Sequence, residues 1–101
     1  MGLDVTFFAG NPTTRQARLF GSGIQSYRGA WWVVDYFKID DENNGCDIEI
    51  TKDQLRDFVD YASNMFYATN GEIIHDAVND ALNGEHGVDW ENEKFFVNCW
   101  W

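Results

Sequence analysis

The sequence predicts an α+β fold in which an antiparallel sheet of three or four strands has two helices packed on one face. Short segments near both ends of the chain are rich in apolar residues that alternate with polar ones, or in aromatics, as is typical of strands. Between them lie two segments with apolar residues at helical spacing. The length of 101 residues and the hydrophobic content of 45% fit a single domain over residues 1–101.

The N-terminal part is predicted to contain two strands and a long connection. Residues 3–8 alternate apolar and polar side chains, which indicates a strand. Residues 9–29 hold four glycines and the only proline, so we expect a connection there, with a short helix over residues 13–20. Residues 30–39, AWWVVDYFKI, are rich in aromatics and valine, which favours a buried strand. Because this run is apolar all round, a short buried helix is the alternative.

The segment at residues 40–51, DDENNGCDIEIT, has the outline of a calcium loop, with oxygen side chains on alternate positions and a glycine at the sixth. Its twelfth position is Thr51, where a calcium loop needs a bidentate glutamate. We therefore predict neither a metal site nor a cofactor. The residues at 43–45 tolerate positive φ and indicate a hairpin turn, and the alternating CDIEI at 46–50 indicates a strand.

Two helices and a terminal strand complete the predicted fold. A Thr-x-x-Gln capping box at residues 51–54 begins a helix that is expected to run to about Ala68. A second helix is predicted from Glu72, with Gly84 as the residue just after its C-terminal end. The aromatic segment KFFVNCWW, residues 94–101, is predicted to be a strand tied into the sheet.

Charge is the strongest functional signal in the sequence. The chain has 17 acidic and 7 basic residues, a net charge of −10. Residues 1–28 carry +2, whereas residues 29–101 set 16 acidic against four basic residues. Such a chain lacks the basic footprint that phosphate contacts need, so direct binding to DNA or RNA is not expected. Its field attracts basic partners, and a simply solvated acidic surface is the competing interpretation.

We predict that nine acidic residues form a partner-binding surface. Those on the two helices recur every three or four residues, opposite the apolar stripes. Like charges at this spacing cost a few tenths of a kcal/mol per pair. Carboxylates four residues apart rise about 6 Å along a helix, a spacing that Lys and Arg in a nucleic-acid-binding groove can meet. The nine are Asp40, Asp41 and Glu42 before the third predicted strand, Asp53, Asp57 and Asp60 on the first helix, and Glu72, Asp76 and Asp80 on the second.

No catalytic motif stands out, and we predict that the protein is not an enzyme; a small enzyme that uses His75 or Cys99 is a weaker alternative. His75 lacks the spacing of a metal pair and is interpreted as structural. Cys46 and Cys99 lack Cys-x-x-Cys spacing, so free thiols are expected. We expect no signal peptide and no membrane span. The alternative function is an interaction module or homodimer that binds through aromatic residues such as Trp90 or Trp101.

Three stretches resemble small proteins found in phages and prophages. They are the Met-Gly-Leu-Asp start, the W-x-x-x-Y-F pattern at residues 32–37 and NGCDIEITKDQLRDFVDYA at residues 44–62. The resemblance covers about half of the chain and brings no active residues with it. Small acidic phage proteins include anti-CRISPR and anti-restriction inhibitors, some of which mimic the charge of DNA. By analogy of class, the resemblance implies an inhibitor, a monomer or homodimer in the cytoplasm of the infected bacterial host, that binds a basic host protein such as a CRISPR effector.

Overall fold

The structure, a computed structural model, describes residues 2–11, 16–19, 26–84 and 90–101. Within these ranges it has the predicted α+β architecture, with five strands and three helices. The strands are β1 (Asp4–Asn11), β2 (Gln16–Leu19), β3 (Ser26–Arg28), β4 (Asp47–Ile50) and β5 (Lys94–Trp100). The helices are α1 (Trp31–Phe37), α2 (Lys52–Ala62) and α3 (Gly71–Leu82), and a 3-10 turn (Asp41–Asn43) precedes β4.

The sheet is antiparallel and four strands wide, as the sequence predicts. Its order is β2-β1-β5-β4, and β3 pairs with β1. The strands β2 and β3 pair with different parts of β1, since Phe8 lies opposite Leu19 while Asp4 lies opposite Arg28. The prediction that the aromatic segment near residue 100 joins the sheet is confirmed, and this strand, β5, occupies the centre between β1 and β4.

The core lies between one face of the sheet and the three helices, and Phe58 of α2 is at its centre. Its ring centroid lies 5.7 Å from that of Phe7 on β1. On its other side it stacks on Trp32 of α1, at 5.7 Å and an interplanar angle of 8°. The rings of Tyr36 and Phe37 lie 5.1 and 5.0 Å from it. One buried ring therefore joins the sheet, α1 and α2.

The prediction of a strand over residues 30–39 is wrong, and the alternative of a short buried helix is what forms. Residues 31–37 are helical, and Lys38 ends the helix in the left-handed conformation, with φ of 54°. The adjacent residues Tyr36 and Phe37 both contact Phe58. In a strand, successive side chains point to opposite faces, so a strand could not make both contacts. Packing on α2 thus outweighs the β propensity of the segment.

The predicted connection over residues 9–29 is also wrong in part. The first strand extends to Asn11, and residues 16–19 and 26–28 are strands rather than helix or loop. Residues 13–15 and 20 of the predicted short helix lie outside the described residues. The physical reason is that β1 has a free edge whose backbone N–H and C=O groups need partners, and β2 and β3 supply them.

The stretch at residues 40–51 folds as a turn, a strand and a helix cap. The turn joins α1 to β4, so the prediction of a hairpin between two strands is wrong, although Gly45 has the expected positive φ of 80°. Asn44 makes two hydrogen bonds with the backbone of Trp101. Its Nδ2 donates to the carbonyl oxygen at 2.8 Å, and its Oδ1 accepts from the N–H at 2.9 Å. The predicted capping box is confirmed, since Thr51 and Gln54 each bond the backbone N–H of the other.

The helix boundaries differ from prediction at two points. The helix expected to reach Ala68 ends at Ala62, and residues 63–70 form the turn to α3. The helix α3 begins at Gly71 rather than one residue later. A Cβ at this glycine would clash with the backbone carbonyl of Met65, so the close approach of the turn requires glycine here. The prediction for Gly84 is confirmed by its φ of 79° after the end of α3.

The position of Phe58 leads to a stability prediction. We expect Phe58→Ala to lower the free energy of unfolding by about 3–5 kcal/mol, because it removes a buried ring through which α2 packs on β1 and α1. Denaturant titration followed by circular dichroism measures this. Tyr67→Ala is the control, since Tyr67 is 84% exposed, and it should change stability by less than about 0.5 kcal/mol. Equal denaturation midpoints for the two variants would contradict the central role of Phe58.

Candidate protein-interaction surface

The outer face of α2 carries the first acidic set. The apolar residues of this helix face the core, and Asp53, Asp57 and Asp60 lie on the opposite side and are exposed. Asp53 pairs with Arg56, with 2.8 Å between Oδ1 and Nη1. The carboxylates of Asp57 and Asp60 make no hydrogen bond or ion pair with another of the described residues. Within the described part of the chain, this helix therefore presents to solvent two carboxylates without a partner.

The second set lies on α3, which packs beside α2. Glu72 and Asp76 are exposed and Asp80 is half-buried. Glu72 is in the first turn, where the helix dipole favours a negative charge. Asp76 contacts His75, with 3.0 Å between Oδ1 and Nδ1. Both helices bury their apolar faces in one core, and Glu72 and Asp76, like the acidic residues of α2, are exposed to solvent.

The third set, Asp40, Asp41 and Glu42, occupies the turn before β4, the edge strand of the sheet order. All three residues are exposed. The carboxylate of Asp40 also has a structural task, because its Oδ1 accepts hydrogen bonds from the backbone N–H and the Nδ2 of Asn43 at 3.1 and 2.9 Å. The structure thus places this set at the edge of the sheet layer and the other two sets on the helix layer.

Aromatic side chains that the sequence did not predict there border the acidic face of α2. The rings of Tyr36 and Tyr61 lie 4.8 Å apart, and Tyr61 is 37% exposed. Burial raises the pKa of the Tyr36 phenol above its ordinary value, and the nearby carboxylates of Asp57 and Asp60 raise it further. The negative potential of α2 therefore reaches the surface of α1. A helical assignment of residues 31–37 would have placed Trp32 and Tyr36 on one helix face, but their contact with α2 depends on the fold.

A groove of about 450 Å³ opens next to this border. It lies between the end of α1, the edge strand β4 and the first half of α2. Its walls combine aromatic, aliphatic and carboxylate side chains, and one of the latter, Asp57, also belongs to the acidic face. The lining residues are Tyr36, Phe37, Ile48, Glu49, Ile50, Gln54 and Asp57.

Trp90 and Trp101, the aromatics singled out in the sequence for the alternative function, are both partly buried. Trp90 stacks on Phe95 at 5.8 Å. Trp101 packs against Trp31 at 5.7 Å. Both therefore contribute to packing within the molecule. The more exposed large apolar side chains are Trp31, Tyr61, Phe66, Tyr67, Ile73 and Trp100.

His75, Cys46 and Cys99 are the side chains considered for a catalytic role. His75 is half-buried, and its ring lies edge-on to Phe66 at 5.0 Å. Cys46 is exposed and Cys99 is buried, and both are free thiols. Within residues 2–11, 16–19, 26–84 and 90–101, no group of three or more His, Cys, Asp or Glu side chains is arranged to hold a metal ion.

No protein-family model, curated protein or solved structure matches this chain. None of the helices in the described part of the chain combines the length and the apolar character needed to cross a membrane. The charge of the chain and the geometry of its surfaces are therefore the observations from which a function is inferred.

The two thiols lead to a prediction about reactivity. Burial raises the pKa of the Cys99 thiol to about 12, so at pH 8 the nucleophilic thiolate is almost absent, whereas Cys46 is exposed. We expect a thiol-reactive dye to label one cysteine per native chain and two in denaturant. Cys46→Ser is the control and should leave no rapidly labelled site. Rapid labelling of this variant in the native state would contradict the burial of Cys99.

Proposed function

We propose that the protein is a phage-type inhibitor that binds, through the outer face of its helix layer, to a basic surface of a host nucleic-acid-binding defence protein such as a CRISPR effector. The observation that carries this proposal is the pair of acidic faces on α2 and α3. They present Asp53, Asp57, Asp60, Glu72, Asp76 and Asp80 on one side of a chain with a net charge of −10.

The spacing of these carboxylates suits a surface that otherwise receives nucleic acid. Carboxylates one turn apart rise about 5–6 Å along each helix. Packed helices are separated by about 8–10 Å, so α2 and α3 together form a double row of negative charge. A groove that binds phosphates is lined by Lys and Arg, and such a double row competes for the same cations. In this proposal Asp40, Asp41 and Glu42 extend the contact toward the edge of the sheet.

The proposal needs no catalytic step and no bound cofactor, because an inhibitor of this kind acts by occupying the partner's surface. Each chain carries both acidic faces, so a monomer suffices. Electrostatic attraction of this type speeds association and weakens as salt screens it. The proposed location is the cytoplasm of the infected bacterium, where the defence protein acts.

A second candidate function is an interaction module or homodimer that binds through aromatic residues. Its support is the exposure of Trp100 and Tyr67, at 68% and 84%. Two copies repel each other through their acidic helix layers, so self-association has to use another surface. The side of the sheet away from the helices is one such surface, since Phe8 stacks there on Phe96 at 5.1 Å and Trp100 projects from the same side.

Charge reversal on α2 tests the proposal. We expect the protein to block DNA binding by a purified CRISPR effector at low salt and to lose this effect as salt is raised. Changing Asp53, Asp57 and Asp60 together to Lys should weaken inhibition by at least about tenfold, since cation–carboxylate contacts become repulsive. The measurement is a DNA-binding competition over a panel of guide-loaded effectors.

The matched control changes Asp35, Glu91 and Glu93 to Lys. Both variants raise the net charge from −10 to −4, because each replacement adds two charges. The control should retain inhibition within about threefold if the location of the charge matters more than its total. If the α2 variant and the control variant both fold and inhibit equally well, the proposal is wrong. Association that survives high salt and fails in Trp100→Ala would favour the second candidate.

A further inference from the structure

Side chains that line the groove between α1, β4 and α2 pack against the core, which holds them in place without a partner. The rings of Tyr36 and Phe37 meet edge-on at 4.9 Å, and both rest on the buried ring of Phe58. Ile50 is 2% exposed and supplies an aliphatic surface that the sheet holds in place. A site whose side chains are already ordered loses little conformational entropy on binding.

The charges at this groove are unequal. Glu49 contacts Lys94, with 2.9 Å between Oε1 and Nζ, so it already has a cationic partner. Asp57 lies on the α2 side and has no hydrogen-bond or ion-pair partner among the described residues. Asp60 is on the same helix face, and its carboxylate, like that of Asp57, acts on the Tyr36 hydroxyl. The groove therefore combines aromatic and aliphatic walls with one uncompensated carboxylate.

These walls define the chemistry of the group that fits. An anion is repelled by Asp57, and a neutral group leaves the carboxylate without a partner. A guanidinium is planar, weakly hydrated and always charged, so it can stack on an aromatic ring while its N–H groups donate to a carboxylate. An ammonium is a compact, strongly hydrated charge and makes poorer use of the ring faces.

We propose that this groove is a socket for an arginine side chain of the basic partner, with the guanidinium against Tyr36 and Phe37 and its N–H groups bonded to Asp57. The inference rests on the proposed function, because it assigns that partner's anchoring residue. Buried arginines and aromatics commonly dominate interface energetics, whereas exposed charge pairs add little. The acidic faces then attract the partner, and the socket fixes where it docks.

The test uses the tripeptide acetyl-Gly-Arg-Gly-amide as a probe, with its lysine and citrulline counterparts. Citrulline keeps the shape of arginine and lacks its charge. In an NMR titration of the full chain, we expect the arginine peptide to shift the signals of Tyr36, Phe37, Gln54 and Asp57. It should bind about threefold more tightly than the lysine peptide and about tenfold more tightly than the citrulline peptide.

Three variants sharpen the result. Asp57→Asn should reduce the affinity for the arginine peptide by about fivefold, whereas Asp53→Asn, the same change on the same helix but outside the groove, should alter it less than about twofold. Phe37→Leu removes a ring face and should abolish the preference for arginine over lysine. The socket proposal is wrong if the NMR shifts spread evenly over all acidic residues. It is also wrong if the three peptides bind with equal affinity.

The outcomes separate this inference from the proposed function. Changing Asp53 and Asp60 to Lys leaves Asp57 in place and tests the acidic face without removing the socket's carboxylate. Loss of effector inhibition in that variant, together with no arginine preference in the titration, removes the socket and leaves the proposed function standing. Arginine-selective binding in the groove without inhibition of any basic effector supports the socket and removes the proposed function.

Discussion

The packing of Phe58 is the constraint on which the rest of the structure depends. Its ring touches β1 on one side and α1 on the other, so the rotation of α2 about its own axis is fixed by the core. Asp57 is the adjacent residue, and a step of one residue turns a helix by about 100°. The direction in which the acidic face points is thus a consequence of hydrophobic burial.

Sequence patterns predicted those elements whose signals are local. The reciprocal bonds of Thr51 and Gln54 involve residues three apart, and the alternation of strand β4 is visible in four residues. The segments that were assigned wrongly depend on distant partners. The helix α1 forms where its rings meet α2, and β2 and β3 form because the free edge of β1 requires hydrogen bonds. These long-range contacts cannot be predicted from the composition of the segments alone.

The candidate surface likewise has features that local sequence patterns predict and features that depend on distant contacts. The exposed positions of Asp53, Asp57 and Asp60 follow from helical periodicity, so the sequence was sufficient to predict them. The groove beside them was not predictable, because it requires the C-terminal end of α1 to lie against the start of α2 and the edge of β4. A side chain that belongs to both features, Asp57, was identified for its charge, and its aromatic neighbours became visible only in the fold.

The central place of β5 in the sheet has a consequence for how the molecule is made. Every other described element precedes β5 in the sequence, yet β1 and β4 are joined only through it. The two halves of the sheet therefore cannot be joined by backbone hydrogen bonds until β5 has been made. Pairings between residues so far apart in sequence are also slow to form. Until β5 is in place, the edges of β1 and β4 that flank it lack their hydrogen-bond partners, and Phe95, Val97 and Cys99 are missing from the core.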